Sequence, residues 1–437
     1  MFRLRALPVG LVGLVGSLAT SAAHAKVTKG PWVQLVTPTS AVVRVEVSPP
    51  AAVTLDLTGA EGGPVTLESK EAKALHEIAL EKLTPSKRYT YSVKAGSASK
   101  LASFTTAPTD DSDAPFRFLA YGDNRTDDAA HAAVVRAMVP APGELVIHTG
   151  DFVENGASPA QWQTFFEIEA PLLVTRPIVS AVGNHELVDG SGINYVKFFG
   201  PGGATKPEHL DHTFRWGNTR FFLLNGISQW KSGVERQWLE KALGDADNEK
   251  GVVWRVVVVH HGPWSSGPHG GNPRFHEAGL PALFKQHKVD VILSGHDHTY
   301  ERGVGDGLPF VVTGGGGAPL YRLRSRIPQS RHSESTHHFV QAEVNQRVMR
   351  LTAVRPDGSR IESCALSKDK EGWFCGDGVT TSGPDGGSPL VGEPEKASMP
   401  TPTSCCSCEA VGARGPRAGA LAALLPLIAY ARRRRRY

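Results

Sequence analysis

The sequence predicts two domains, an all-β sandwich followed by a layered α/β domain. Residues 27–107 alternate apolar and polar side chains between turn residues and lack helical periodicity. From residue 116 onwards, apolar strand-like runs alternate with amphipathic helical segments, which is typical of an α/β domain. The polar segment 107–115 separates the two patterns as a linker. With 437 residues, of which 40% are hydrophobic, the chain is too apolar to be wholly disordered.

The first 25 residues have the features of a secretory signal peptide. Arg3 and Arg5 form a basic start, an apolar stretch covers residues 6–19, and Ala23-His24-Ala25 is a small-residue cleavage site. A buried N-terminal helix is the weaker alternative, because the stretch is rich in glycine. We expect the mature protein to begin near Lys26. No interior run approaches the ~20 apolar residues that span a bilayer, which excludes a polytopic membrane protein.

Within residues 27–107 the alternation predicts five strands. The spacing of Leu83, Pro85, Tyr89 and Tyr91 resembles the corner of a fibronectin type III-like sandwich, where a tyrosine hydroxyl bonds back to the backbone. The predicted strands are 32–36, 41–47, 76–80, 88–93 and 102–105.

Within residues 115–365 the pattern predicts buried strands that alternate with helices. The predicted strands are 116–121, 145–148, 178–182, 221–224, 252–259 and 289–293, and the predicted helices are 129–138, 159–173, 234–243 and 277–287. Residues 376–404, rich in Gly, Pro and Ser, predict a flexible stalk.

Residues 405–437 combine a cysteine motif, a short apolar helix and an arginine block. Cys405-Cys406-Ser407-Cys408 precedes an apolar stretch at 418–431 and the run Arg432–Arg436. This tail resembles myxobacterial-type C-terminal sorting tags, which implies attachment at the cell surface or outer membrane, or release into the medium. A plain membrane anchor is the alternative, and a nucleic-acid-binding arm is the least favoured.

The two ends also determine the charge balance. The formal net charge of the full chain is +4, but residues 1–25 and 409–437 contribute nine basic groups and one acidic group, so the remainder carries −4. We therefore expect no nucleic-acid partner, and contact with a membrane only through the C-terminal tail. Cys364 and Cys375 favour a disulfide formed in an oxidising compartment over a pair of buried free thiols.

Polar residues follow five of the predicted strands, at the point where each strand ends. Ligands of α/β sheets gather beyond the carboxyl ends of strands, so these residues are expected to meet at one rim. Carboxylate, amide and imidazole groups together suit Fe, Zn or Mn better than Ca. The five segments are Gly122-Asp123-Asn124-Arg125, Gly150-Asp151, Gly183-Asn184-His185-Glu186, His260-His261 and Gly295-His296-Asp297-His298.

In this order, the motifs resemble those of the calcineurin-like metallophosphoesterases, and among them the purple acid phosphatases. The segment Gly295-His296-Asp297-His298-Thr299-Tyr300-Glu301-Arg302 matches the Gly-His-x-His-x-Tyr-Glu-Arg ending of that family. Family members also place a fibronectin-like domain before the catalytic domain. Over residues 27–365 the resemblance implies a four-layer αββα metallophosphoesterase domain.

The resemblance also implies a centre of two metal ions bridged by Asp151. The first ion would bind Asp123, Asp151 and His298. The second would bind Asp151, Asn184, His296 and one of two adjacent histidines, for which we favour His260 and leave His261 open.

Three further residues are expected to act on the substrate. His185 matches the catalytic histidine of the family and would protonate the leaving oxygen. Arg125 suits a phosphate oxygen, although a salt bridge is nearly as good an interpretation. His269 would face the substrate or be simply solvated. Glu186 could orient a histidine.

The sequence departs from the family at the first metal ion. Purple acid phosphatases place a tyrosine after the second motif, where this chain has Phe152-Val153-Glu154. Other members of the superfamily have Asp-x-His in the first motif, where this chain has Asn124-Arg125 after Asp123. Glu154 or Asn155 could fill the gap. We therefore expect a colourless protein with Fe, Zn or Mn bound.

Together these features predict an exported, metal-dependent phosphoesterase that hydrolyses phosphomonoesters by attack of metal-activated hydroxide. The substrate would be a small-molecule or surface phosphate ester. The alternatives are a phosphodiesterase on the same metal core and a surface binding module whose metal site has degenerated. The glycines at 314–317 predict close backbone packing, and Trp162, Phe165 and Phe166 predict core packing.

Overall fold

The computed structural model describes residues 25–202, 210–228, 230–323 and 325–376. The predicted signal peptide up to residue 24 lies outside these ranges, as do the stalk from residue 377 and the whole C-terminal tail. Among the described residues, no helix is both long enough and apolar enough to cross a membrane.

The described chain contains nineteen strands and six helices. Five strands build the first domain: β1 (Lys26–Gln34), β2 (Ala41–Thr58), β3 (Val65–Leu80), β4 (Arg88–Ala95) and β5 (Ala98–Thr105). The first half of the second domain contains β6 (Phe116–Tyr121), α1 (Asp128–Met138), β7 (Leu145–His148), α2 (Pro159–Leu173), β8 (Ile178–Ser180), α3 (Ile193–Phe199), β9 (His212–Trp216) and β10 (Thr219–Leu224). The second half contains α4 (Val234–Asn248), β11 (Trp254–Val259), α5 (Pro273–Glu277), α6 (Leu280–Gln286), β12 (Val291–Ser294), β13 (Tyr300–Gly305), β14 (Leu308–Thr313), β15 (Ser330–Glu334), β16 (Phe339–Asn345), β17 (Val348–Val354), β18 (Arg360–Ser367) and β19 (Phe374–Cys375).

The first domain is all β, and two of its strands are longer than predicted. The first half of β2 pairs with β1 and the second half with β4, while β3 pairs along both halves. The strand residues within 51–73 were not predicted, because Pro49-Pro50 interrupts the alternation and most of β3 before His76 is exposed or half-buried. At the predicted corner, the backbone N–H of Thr84 donates to the hydroxyl of Tyr89 at 2.8 Å.

The second domain has four layers, two sheets packed face to face between helices. One seven-stranded sheet has the order β15-β13-β14-β12-β11-β10-β9 and the other β19-β18-β17-β16-β6-β7-β8. Phe118 of β6 and Phe221 of β10 meet edge to face across the central layer, with ring centroids 5.4 Å apart. Buried side chains of α1, α2 and α3 pack in one outer core, and those of α4, α5 and α6 pack in the other. This arrangement is the predicted αββα fold.

The helices differ from the prediction at three places: α3 was not predicted, α4 extends beyond residue 243 to Asn248, and the predicted helix 277–287 is interrupted. The predicted helix 277–287 is divided into α5 and α6, because Gly279 adopts a left-handed conformation with φ 67° and Pro281 follows it. Trp162, Phe165 and Phe166 of α2 are buried core residues, as expected. The second sheet continues beyond residue 365 to β19, where a disulfide joins Cys364 and Cys375.

The first domain is anchored to the second domain through β1. The buried indole of Trp32 donates to the backbone carbonyl of Phe198 at 3.2 Å and packs against the ring of Phe166 at 4.8 Å. Gln34 donates to the carbonyl of Ile178 at 2.8 Å, at the start of β8. Because β8 leads into the Asn184 loop, these contacts support the backbone that carries one of the candidate metal ligands.

Candidate metal centre

Four of the candidate ligands lie together at the carboxyl ends of the parallel strands. Asn184 Oδ1 is 3.1 Å from His260 Nε2, and Asp151 Oδ1 is 3.3 Å from the same nitrogen. The rings of His260 and His296 have centroids 5.1 Å apart. Loops from both sheets therefore converge on one point, as the order of the motifs predicts.

The backbone at three of the ligands is held in a conformation that non-glycine residues rarely adopt. Asp123, Asp151 and His296 have φ values of 58°, 60° and 71°. Such left-handed residues cost of order 1 kcal/mol each and are concentrated at functional sites. Two glycines allow the close approach: a Cβ on Gly183 would lie 2.1 Å from Asp151 Oδ1, and one on Gly295 would lie 2.2 Å from Asp123 Oδ2.

Two histidines are oriented so that one ring nitrogen is available as a ligand. The buried His260 has Nδ1 2.9 Å from the carbonyl oxygen of Thr149, and His298 has Nδ1 2.7 Å from that of Pro319. Nδ1 must donate in both pairs, so Nε2 of each ring faces the centre. This is the usual orientation of a metal-binding histidine, whose other nitrogen donates to a carbonyl or carboxylate.

Glu186 holds backbone rather than a histidine, which corrects the sequence-based hypothesis. Its buried carboxylate accepts from the backbone N–H groups of Asp151 at 2.9 Å, Phe152 at 2.8 Å and Gly183 at 2.9 Å. One side chain therefore connects the loop after β7 with the loop after β8. Burial and the charge of Asp151 raise the pKa of Glu186 to about 7.

Burial and mutual charge shift the pKa values of the central carboxyls in opposite directions. Burial raises the pKa of Asp123 well above its ordinary value, and the charge of Asp151 adds to that effect. Burial also opposes ionisation of Asp151, but the positive charges of His260, His185 and Arg125 hold its pKa well below the usual range. Asp151 is therefore the carboxylate that stays ionised.

The pKa values of the neighbouring histidines are also shifted in opposite directions, so these histidines differ in charge. Burial disfavours the charged form of His260, yet Asp151 and Asp123 raise its pKa to about 9. Burial and the charge of His260 lower the pKa of His261 to about 3. Burial also lowers the pKa of His298 to about 4. His261 and His298 are therefore neutral near pH 7 and offer a lone pair to a cation.

The donor set around Asn184 fits the second metal ion that the sequence predicts. The candidate nitrogens of His260, His261 and His296 all lie within 4.8 Å of one another, and the rings of His261 and His296 are 3.9 Å apart. With Asp151 Oδ1 and Asn184 Oδ1, they form the mixed oxygen and nitrogen set that suits Zn, Fe or Mn. The structure brings both His260 and His261 to this position, so the choice between them stays open.

At the first metal position Arg125 lies beside the candidate ligands, although Asp123, Asp151 and His260 offer three ligand atoms within 4.8 Å of one another. The Nε of Arg125 donates to Asp151 Oδ2 at 3.2 Å, and its Nη2 lies 3.4 Å from His298 Nε2. Arg125 also pairs with the carboxylate of Glu154, which accepts from the hydroxyl of Thr126 at 2.7 Å as well. Glu154 is thus engaged by Arg125 and Thr126.

Asn155, the other residue considered as a missing ligand, is engaged in its own loop. Its side-chain oxygen accepts from the backbone N–H of Ala157 at 2.9 Å. Asp123 faces the first position but accepts from the backbone N–H of His296, with 3.0 Å to both of its oxygens.

His185 and His269 lie on two sides of the centre. His185 Nδ1 is 2.7 Å from the carbonyl oxygen of Glu154, and its Nε2 is 3.8 Å from Asp151 Oδ2. His269 is exposed, with its ring 4.3 Å from that of His296. Both histidines are near the centre, as expected for residues that could reach a bound phosphate ester.

Tyr321 belongs to this site, although the sequence analysis did not identify it. Its ring stacks on that of His298 at 4.1 Å, and its hydroxyl lies 3.2 Å from His269 Nε2. It follows the 314–317 glycines, which pack as expected: a Cβ on Gly314 would lie 3.0 Å from Asp123 Oδ2. An aromatic residue just after a glycine-rich loop was the available indication of its position.

A cavity of about 320 Å³ opens beside His261 and His296. Trp264, Asn272 and Arg274 line it together with His269. The cavity thus combines an aromatic face with polar and cationic groups next to the candidate metal ligands, as a small-molecule site usually does.

Comparison with known proteins agrees with this geometry. The family model for calcineurin-like phosphoesterases matches residues 116–300. A protein of Mycobacterium tuberculosis is 28% identical over 283 residues, which cover 54% of this chain and 53% of the relative. Purple acid phosphatase 5 of Arabidopsis thaliana is 25% identical over 234 residues, which cover 52% of this chain and 54% of the relative.

Among solved structures, a purple acid phosphatase from yellow lupin (Lupinus luteus) seeds superposes with a TM-score of 0.69. It is 21% identical and covers 77% of this chain and 74% of its own chain, so it shows the shared fold. The present chain spans about half the length of the curated relatives described above. Residues 116–300 therefore form a calcineurin-like phosphoesterase domain that is similar to that of the purple acid phosphatases.

Proposed function

We propose that this protein is a metal-dependent phosphoesterase that hydrolyses phosphomonoesters. The observation that carries the proposal is the convergence of Asp151, Asn184 and His260 within 3.1–3.3 Å contacts, with His296 beside them. Polar loops from the two sheets meet there, and the backbone of Asp123, Asp151 and His296 is strained. A binding module whose metal site has degenerated would not need this donor set.

A divalent metal ion bound at this position would supply Lewis acidity and an activated water molecule. The residues of the chain have separate tasks around it. Asp151, Asn184, His296 and one of His260 and His261 would hold the ion, and Glu186 fixes the loops that carry Asp151 and Asn184.

His185 is the residue best placed to protonate the leaving oxygen. Its Nδ1 donates to the carbonyl of Glu154, so Nε2 is the nitrogen that can give a proton to a substrate. Its side chain is 19% exposed, which allows contact with a substrate that enters from solvent. His185 would therefore act as a general acid.

The cavity beside His261 favours a phosphomonoester. A terminal phosphate at the centre would place its organic group against Trp264 and Asn272, with Arg274 at the rim. A diester needs room for a second organic group beyond the phosphate. The position of Arg125, which is 12% exposed and paired with Asp151, limits that room on the other side.

Hydrolysis of p-nitrophenyl phosphate and of bis(p-nitrophenyl) phosphate, each with Mn²⁺, Zn²⁺ or Fe²⁺, tests the proposal. We expect the monoester to be hydrolysed faster. Faster hydrolysis of the diester would identify a phosphodiesterase. Hydrolysis of neither ester by metal-loaded protein would favour the binding module.

The place of the protein in the cell is also part of the proposal. The basic and apolar start with its Ala23-His24-Ala25 site supports export, and the Cys-rich tail with Arg432–Arg436 supports attachment at the cell surface. The Cys364–Cys375 disulfide fits an oxidising compartment. The contact between Thr84 and Tyr89 supports a fibronectin type III-like first domain. Mass spectrometry of surface-released protein should detect an N-terminal peptide that begins near Lys26, whereas a peptide that retains residues 1–25 would contradict export by cleavage.

A further inference from the structure

We infer that the guanidinium of Arg125 takes the place of the first metal ion, so that this protein binds one divalent metal ion where the family arrangement has two. The inference deepens the proposed function, on whose metal site it rests. It starts from Arg125, which contacts two candidate metal-binding groups of its own chain as well as the Glu154 carboxylate.

The guanidinium contacts two of the three groups that would bind the first ion. Nε donates to Asp151 Oδ2 at 3.2 Å, and Nη2 lies 3.4 Å from His298 Nε2. His298 can accept there, because its Nδ1 already donates to the carbonyl of Pro319. An arginine stays protonated and has no lone pair to offer a metal ion. A fixed positive charge thus lies where these groups converge.

The arginine is held in this position from several sides. Its side chain is only 12% exposed, and the Glu154 carboxylate binds Nη1, whereas Nη2 lies near His298. Glu154 is itself held by the hydroxyl of Thr126 at 2.7 Å. The residue that could have served as a fourth ligand therefore binds Arg125 instead.

The two carboxylate oxygens of Asp151 contact different groups. Oδ2 accepts from Arg125, whereas Oδ1 faces His260 Nε2 at 3.3 Å and accepts from the backbone N–H of His185 at 3.1 Å. In a centre of two ions this carboxylate would join both. Here it joins the guanidinium to the position beside Asn184. At that position the candidate ligands come together, and none of the arginines that the structure describes lies among them.

Metal stoichiometry tests the inference directly. Metal-free full-length protein is dialysed against excess Mn²⁺, bound manganese per chain is measured by mass spectrometry, and the electron paramagnetic resonance spectrum is recorded. We expect one Mn²⁺ per chain with the spectrum of an isolated ion. Two ions per chain with an exchange-coupled spectrum would overturn the inference.

Substitutions at position 125 test whether the positive charge of the arginine excludes the first metal ion. Arg125→His creates the Asp-x-His spacing after Asp123 and should raise the stoichiometry to two, with exchange coupling. Arg125→Lys keeps a cation and should stay at one. Arg88→His, at an exposed position of β4 in the first domain, is the matched arginine-to-histidine control and should also stay at one. If Arg125→His folds and still binds one ion, the arginine does not occupy the first position and the inference fails.

Hydrolysis of p-nitrophenyl phosphate by the same samples separates this inference from the proposed function. One bound ion without hydrolysis would support the inference and remove the proposed function. Two bound ions with hydrolysis would support the proposed function and overturn the inference.

Discussion

Glu186 Oε2 accepts a hydrogen bond from the backbone N–H of Asp151 at 2.9 Å, and the same oxygen accepts from Gly183 at 2.9 Å. A buried side chain that is not itself a candidate ligand thus sets the distance between two ligand loops. Groups behind the ligands often determine metal affinity almost as strongly as the ligands do.

The first prediction concerns this support. Glu186→Gln keeps the volume of the side chain but directs an amide N–H₂ at backbone donors, so the loops should move apart. We expect the affinity for Zn²⁺ to fall by about 10- to 100-fold. Competition with a chromophoric chelator measures the change, and Glu240→Gln on the exposed face of α4 is the control. An unchanged affinity in Glu186→Gln would contradict the assigned role.

The second prediction concerns the shared carboxylate. Asp151→Ala removes the group that contacts His260, Arg125 and the backbone of His185. We expect loss of bound metal and a fall in kcat/KM of at least about 100-fold. Metal content and hydrolysis of p-nitrophenyl phosphate are measured on the same preparation, with Asp245→Ala as the exposed control. A variant that retains metal and activity would remove Asp151 from the centre.

The third prediction distinguishes a general acid from a residue that holds metal. His185→Gln should keep the bound metal but lower kcat by about 100-fold or more for alkyl phosphates, whose leaving oxygen needs a proton. The loss should be smaller for p-nitrophenyl phosphate, whose leaving group departs without protonation. Equal losses for the two substrates would show that His185 does not protonate the leaving oxygen.

The fourth prediction concerns a carboxylate that joins the two sheets of the second domain. Glu362 of β18 accepts from the hydroxyl of Tyr300 at 2.7 Å and from Arg302 Nε at 2.8 Å, both on β13. Burial opposes the ionised form, but the hydrogen bonds and charge of Arg302, with the Tyr300 hydroxyl, lower the pKa of Glu362 below its ordinary value of 4.5. We expect Glu362→Gln to lower the free energy of unfolding by about 1–3 kcal/mol at pH 7.

The sign of the pH dependence follows from the lowered pKa. Because the folded state favours the ionised form, the contribution of Glu362 is complete above its unfolded pKa and is lost as the pH falls through the folded pKa. The difference between wild type and Glu362→Gln, measured by urea unfolding, should therefore shrink below about pH 4.5. A difference that is the same at pH 7 and at acid pH would contradict the ionised pair.

The sequence predicts six strands of the second domain, β6, β7, β8, β10, β11 and β12, because most of their residues are buried. It did not predict β9 or β13–β19. The segments at 116–121 and 145–148 are observed at the predicted residues. The order of polar residues at strand ends was sufficient to predict that Asp151, Asn184 and His260 meet. The sequence shows which residues follow each strand, and the carboxyl ends of parallel strands lie at the same edge of a sheet.

The sequence could not predict contacts that depend on side-chain direction. A salt bridge was one of the two alternatives for Arg125, and the structure shows it, but the sequence did not indicate its partners Asp151 and Glu154. Glu186 was expected on a histidine and holds backbone instead. The hydroxyl of Tyr321 contacts His269, which lies 52 positions away in the sequence. No local sequence pattern indicates a contact between residues so far apart.

The measurement that tests the central claim most directly is the removal and return of the metal ion. Purified protein is treated with a chelator, dialysed, and assayed with p-nitrophenyl phosphate before and after Mn²⁺ or Zn²⁺ is added back. The account predicts hydrolysis that disappears on chelation and returns with the metal. Hydrolysis that persists in metal-free protein, or that is absent when metal is bound, would contradict it.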